Sequence, residues 1–85
     1  MRPFKDEKIN SHMFKRTVFA DSDEADLVWQ KDKMGLKIKV IQSGGWMIQF
    51  GEEPPIKMVD MVISKGQIYR IVKGAEDLIL EIEEF

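Results

Sequence analysis

The sequence predicts an all-β domain of the sandwich or barrel type. Turn-forming residues recur roughly every 8–12 positions along the chain. Between these turns, short segments alternate apolar and polar residues, which is typical of strands with one face in a core and the other in water. No convincing helical periodicity is present, apart from a candidate short helix within residues 1–20.

The composition sets limits on size and on the class of protein. A chain of 85 residues has room for one domain over 1–85, with an N-terminal segment at 1–24 and a barrel core at 25–85. Such a small domain without cysteines gains stability by association, so we expect a homodimer. The net charge of −2 favours binding to neither nucleic acid nor membrane. Without a membrane span or signal peptide, we expect a cytoplasmic protein.

The first half of the chain carries few strand signals. Residues 1–16 lack clear alternation, although Phe4, Ile9 and Phe14 could cover an open sheet edge or start a strand. Thr17 to Ala20 is rich in strand-forming residues. Asp21 to Glu24 then supplies turn residues and charge. We expect the next strand from Leu27 to Asp32, followed by a turn at Lys33 to Gly35.

Two strongly alternating segments flank Gly44 and Gly45. The apolar positions are Leu36, Ile38 and Val40 before the glycines, and Trp46, Ile48 and Phe50 after them. Because glycine accepts the positive φ angles of tight turns, this pattern predicts a β-hairpin.

The rest of the chain predicts short strands separated by turns. Gly51 to Pro55 is expected to be a loop, since its two prolines donate no backbone hydrogen bond. The predicted strands cover 56–58, 61–63, 67–73 and 78–82, with turns at 65–66 and 74–77.

The stretch from Leu27 to Ile82 resembles a family of very small cupin-like proteins often found in tailed-phage genomes. Those sequences carry a Val-Trp-His-x-Asp stretch, a Gly-Trp before a Gln-Phe strand, and a Lys-Gly-x-Tyr-His-Arg element. The matching residues here are Val28, Trp29, Asp32, Gly45, Trp46, Gln49, Phe50, Pro55, Ile63, Lys65, Gly66, Arg70, Lys73, Gly74, Asp77 and Leu78. The resemblance implies a small cupin-like β-barrel or double-stranded β-helix of the jelly-roll type, with a variable N-terminal segment.

The histidines of that family pattern are absent. Gln30 stands where the first would be, and Tyr69 stands where the second would be. An amide oxygen and a neutral phenol are poor ligands for first-row metals at pH 7. The single histidine, His12, lies outside the resemblance. We therefore expect no metal, no cofactor and no catalytic residue.

Five polar residues form a candidate ligand pocket at the mouth of the predicted barrel: Gln30, Asp32, Gln49, Tyr69 and Arg70. In one interpretation they orient a small molecule between apolar walls. In the other they hydrogen-bond to one another and fill a lumen from which the metal site has been lost. The second interpretation is favoured, and both stay open.

Trp29 is a candidate interface residue, because strand alternation points it away from Gln30. Its alternative environment is the N-terminal segment, against Phe4 or Phe14.

A group of lysines follows Trp29: Lys31, Lys33, Lys37 and Lys39. Beside an aromatic ring they could bind single-stranded nucleic acid. The favoured interpretation is that they keep the exposed face of an edge strand soluble. Glu81, Glu83 and Glu84 could neutralise them locally.

The sequence thus favours a metal-free binding or interaction module, with a phage-type accessory protein as one form of it. One alternative is a cupin-type enzyme, either an isomerase or a metal-dependent dioxygenase. Another is a binder of nucleic acid or of a host protein through Trp29 and the lysine-rich strand.

Overall fold

Residues 3–85 form nine strands and one short 3-10 helix at Glu24–Asp26. The structure is a computed structural model that describes these residues, so Met1 and Arg2 of the predicted N-terminal segment lie outside the described residues. The strands are β1 (Phe4–Lys8), β2 (Met13–Val18), β3 (Gln30–Lys31), β4 (Leu36–Gln42), β5 (Met47–Phe50), β6 (Ile56–Lys57), β7 (Met61–Ile63), β8 (Ile68–Val72) and β9 (Leu78–Glu84).

The strands build two antiparallel sheets. The five-stranded sheet has the order β1-β2-β9-β4-β7, and the four-stranded sheet has the order β3-β8-β5-β6. The predicted all-β class is confirmed.

The core lies between the two sheets, and strands such as β4 and β9 bury alternate side chains in it. In β9, for example, Leu78, Leu80 and Ile82 are buried, and the residues between them are only partly covered. Trp46, with 1% of its surface exposed, is the largest fully buried side chain. Its indole N–H donates to the Glu76 carbonyl oxygen at 2.5 Å, so its one polar group has a partner inside the fold. Within residues 3–85, the buried apolar residues are Val18, Leu36, Ile38, Trp46, Ile48, Met58, Ile63, Tyr69, Leu78, Leu80 and Ile82.

The N-terminal residues form part of the five-stranded sheet. Strand β2 pairs with β9 from Met13 opposite Glu83 to Val18 opposite Leu78, and β1 extends the sheet beyond β2. The structure therefore has two strands where the sequence left open a short helix, the start of a strand or the cover of a sheet edge. The alternation is hard to see in the sequence because Arg16 occupies an inward position between Phe14 and Val18.

The predicted hairpin at Gly44 and Gly45 is wrong, although the turn is present. Both glycines have positive φ angles, of 58° and 81°. However, β4 belongs to one sheet and β5 to the other, so the turn is a corner between sheets. The Gly44 carbonyl oxygen accepts hydrogen bonds from the backbone N–H groups of Ala75 (2.9 Å) and Glu76 (3.1 Å). These contacts with a distant loop stabilise the corner in place of a ladder between β4 and β5.

Two further predictions need correction. Strand β4 is not an edge strand, because it lies between β9 and β7. The strand expected over Leu27 to Asp32 is only Gln30–Lys31, where the chain pairs with β8.

Candidate functional site: a closed interior and an exposed outer face

Three of the predicted pocket residues meet inside the fold. Gln30 and Tyr69 are direct partners in the β3–β8 register, so their side chains share one face of the sheet. Asp32 follows β3, and its Oδ2 accepts a hydrogen bond of 2.6 Å from the Tyr69 hydroxyl. The two positions where the family pattern has histidines are therefore adjacent, with a carboxylate beside them.

The environment of Tyr69 keeps its phenol protonated. Its side chain is 6% exposed, and this burial is the main reason why the pKa of Tyr69 lies well above its ordinary value of 10.0. The hydrogen bond to Asp32 and the charge of that carboxylate raise the pKa further, while the Arg16 guanidinium opposes them. Tyr69 therefore acts as a hydrogen-bond donor at neutral pH.

The interior around these residues is nearly full. A cavity of about 30 Å³ lies between the sheets, lined by Arg16, Gln30 and Tyr69 on its polar side and by aliphatic core residues elsewhere. That volume suits about one water molecule. Pockets for small organic ligands measure roughly 300–1,000 Å³. The volume therefore favours a packed interior, in which Tyr69 and Asp32 bond to each other, over a ligand pocket.

Arg16 is an interior residue that our sequence reasoning missed. Its Nε and Nη2 donate to the two carboxylate oxygens of Asp6 at 2.8 and 2.9 Å. The guanidinium lies 4.0 Å from the centroid of the Phe4 ring and 5.2 Å from that of Phe14. The signal in the sequence was the spacing of Phe14, Arg16 and Val18, which places all three on one face of a strand.

The other two predicted pocket residues, Gln49 and Arg70, lie outside. They are partners in the β5–β8 register, and Arg70 follows inward-facing Tyr69 in the same strand. Arg70 Nε donates to Gln49 Oε1 at 2.8 Å, and the Gln49 amide donates to the Glu53 carbonyl oxygen at 3.0 Å. Strand alternation, applied to Tyr69 and Arg70, was the available signal that the predicted set spans two surfaces.

Trp29 lies on this same outer side. The Arg70 guanidinium sits 4.9 Å from the centroid of its ring, a cation–π distance, and 44% of the tryptophan remains exposed. Phe4 and Phe14, the alternative neighbours considered for Trp29, instead flank Arg16 and pack against the core.

We define the outer face as the outward side of the four-stranded sheet together with Trp29. Ile68 is half exposed on it, directly opposite Lys31 in the register. Aromatic, arginine and aliphatic side chains in one patch are typical of protein interfaces. Its residues are Trp29, Lys31, Met47, Gln49, Lys57, Ile68, Arg70 and Val72.

The lysines that follow Trp29 do not form one surface. Lys31 lies on the outer face, whereas Lys37 and Lys39 belong to β4 in the other sheet. There, Lys37 is opposite Glu83 and Lys39 is opposite Glu81. Opposite charges at directly opposed positions are mildly stabilising. This arrangement agrees with local neutralisation by the acidic C-terminal strand.

The interior donor set does not fit the metal that the cupin resemblance implies for catalytic relatives. It consists of a Gln30 amide, a protonated Tyr69 phenol and the Asp32 carboxylate, which lack the nitrogen ligands that first-row metals favour. Within residues 3–85, no group of three or more histidine, cysteine or acidic residues could hold a metal ion.

Comparisons with family models, with curated proteins and with solved structures find no match to this chain. Among the described residues, no helix has the length and apolar character needed to cross a membrane.

Proposed function

We propose that this protein is a metal-free interaction module with a cupin-type double-stranded β-helix fold, and that it binds a protein partner through the outer face. Its interior serves stability rather than ligand binding or catalysis. The resemblance to small phage proteins supports an accessory role of this kind.

The order of strand pairing supports the proposed fold. Strand β5 pairs with β6, β4 with β7, β3 with β8, and β2 with β9. The chain from β2 to β9 is thus one long antiparallel ribbon, whose successive pairs fall alternately into the two sheets. A ribbon wound in this way is the jelly-roll pattern that cupins share.

The observation that carries the functional proposal is the contrast between the two sides of the four-stranded sheet. Inward, Tyr69 and Asp32 bond to each other beside a cavity of about 30 Å³. Outward, Trp29 and Ile68 expose 44% and 50% of their surfaces. A tryptophan held by Arg70 provides a rigid contact area at little cost in conformational entropy, which suits binding to a protein surface.

Native mass spectrometry of protein purified without chelator tests this proposal. We expect subunit masses equal to the polypeptide alone, with neither metal nor organic molecule retained. A stoichiometric added mass that disappears in a Tyr69→Phe or Gln30→Ala variant would overturn the proposal, because the interior would then be a binding site. A matched control is Gln42→Ala, because Gln42 lies in β4 of the other sheet and its amide donates to the Asp77 carbonyl oxygen.

A further inference from the structure

The outer face carries charge of one sign. The charged residues at its outward strand positions are Lys31, Lys57 and Arg70, and no carboxylate of the described chain occupies such a position. Around these cations lie the exposed apolar surfaces of Trp29 and Ile68. A partner for this face must therefore combine acidic groups with apolar contact area.

The chain itself carries a matching acidic surface beside this face. The segment 21–26, which we name the acidic segment, has exposed side chains at Asp21, Asp23, Glu24 and Asp26. Glu24 lines a surface groove of about 130 Å³ together with Leu27 and Arg70, so the acidic segment borders the outer face.

The carboxylates of the acidic segment form no ion pair within 4.0 Å with another described residue. Among residues 3–85, the ion pairs within 4.0 Å are Lys5–Glu7 and Arg16–Asp6. Lys73, which also lines the groove, donates instead to the backbone carbonyl oxygen of Ser22 at 2.7 Å. An acidic surface and a basic surface thus adjoin on one protomer without pairing to each other.

We propose that the outer face binds a second copy of this chain across a two-fold axis. The acidic segment of each copy then lies against Lys31 and Arg70 of the other. A two-fold contact must complement itself, and two outer faces stacked directly would oppose like charges. When the acidic segment of each copy docks on the outer face of the other, opposite charges meet at both contacts. This arrangement also covers both copies of Trp29. This inference rests on the proposed interaction function and names its partner.

The outer face alone is too small for a stable dimer interface. The outer face spans about 14 Å across its four strands and about 17 Å along β8, from standard strand spacings. The area enclosed by these two lengths is less than the roughly 800 Å² that each partner of a stable interface buries. Adding the acidic segment and the chain that leads to Trp29 enlarges the patch, so this dimer needs both surfaces.

Charge reversal tests the arrangement directly, with mass measured by sedimentation equilibrium and native mass spectrometry. A face variant combines Lys31→Glu with Arg70→Glu, and a segment variant combines Glu24→Lys with Asp26→Lys. We expect each to weaken self-association at least about tenfold relative to the unaltered chain. A control that combines Lys5→Glu with Lys8→Glu on β1 changes the net charge as the face variant does, but should leave the dimer intact.

Mixing the face and segment variants is the decisive measurement. Each repels itself, but in the mixed pair acidic surfaces meet basic ones at both contacts, so a heterodimer should form. The segment variant changes only exposed residues, and circular dichroism checks that both variants fold. A chain that stays monomeric at about 100 μM, or a dimer indifferent to both variants, overturns the inference. Either result leaves the proposed function standing, since the outer face could serve a different protein; only a ligand retained in the interior overturns that.

Discussion

Replacing Tyr69 with phenylalanine separates the structural role of the interior from a ligand-binding role. The change removes the 2.6 Å hydrogen bond to the Asp32 carboxylate and little volume. Hydrogen bonds to charged groups contribute about 1.5–3 kcal/mol. Asp32 is only partly buried, so water can replace part of this bond. We therefore expect Tyr69→Phe to lower the free energy of unfolding by about 1–2 kcal/mol at neutral pH.

The raised pKa of Tyr69 also predicts how the stability loss of the Tyr69→Phe variant changes with pH. The pKa of Tyr69 is raised in the folded state, so the contribution of the phenol is fully present below the unfolded pKa near 10.0. As the pH rises above that value, the unfolded chain releases the proton while the folded chain retains it. Stability then falls by up to about 1.4 kcal/mol per pH unit from this group. The phenylalanine variant lacks that decline, so its deficit relative to the unaltered chain should shrink between about pH 8 and about pH 11.

The chain offers a clean assay because Tyr69 is its only tyrosine. Ultraviolet titration of tyrosinate in the folded protein reports this one group, and urea unfolding at each pH gives the stabilities. An Asp32→Asn variant keeps an acceptor but removes the charge, so its Tyr69 should titrate earlier than in the unaltered chain. Tyrosinate formation near the ordinary pKa in the folded protein, or a deficit that grows with pH, would refute the reasoning.

Two further predictions concern the corner and the interior. Gly44→Ala should destabilise the fold by more than about 2 kcal/mol, because φ is 58° and a Cβ would lie 2.6 Å from a backbone carbonyl oxygen. Gly51→Ala, with φ of 52° but no atom within 4 Å of its Cβ, should cost only about 1–2 kcal/mol; equal losses in urea unfolding would contradict the corner contact. Gln30→His combined with Tyr69→His should create Ni²⁺ or Zn²⁺ affinity together with Asp32, measured by calorimetry, and either single variant is the control. No gain in the double variant would show that the two side chains do not converge.

The strands and turns of the second half could be predicted because their signals are local. Alternation in Leu78, Leu80 and Ile82 defines both the strand and its buried face, whatever it pairs with. The strand at Met13–Val18 could be predicted only as a candidate start at Phe14 and a β-prone end at Thr17, because Arg16 breaks the apolar pattern on its inward face. An arginine is tolerated at this inward position because Asp6 and Phe4, both on β1, contact its guanidinium.

The same difference between local signals and long-range contacts applies to the candidate site. Gln30 and Tyr69 could be paired from the family resemblance, and the structure places them opposite each other. The separation of Gln49 and Arg70 from that interior pair follows from the β5–β8 register. Register depends on long-range pairing, which a single sequence does not reveal.

The sequence by itself determined that the chain is all-β, where most turns fall, and which side of the clearer strands is apolar. These properties depend on backbone preferences and on side-chain periodicity over a few residues. Only the tertiary structure decided that Gly44 turns a corner between sheets, that Lys31 and Lys37 lie on different surfaces, and that the interior is closed. Each of these depends on contacts between residues far apart in the chain, and hydrogen bonding and packing select among arrangements that the local sequence allows equally.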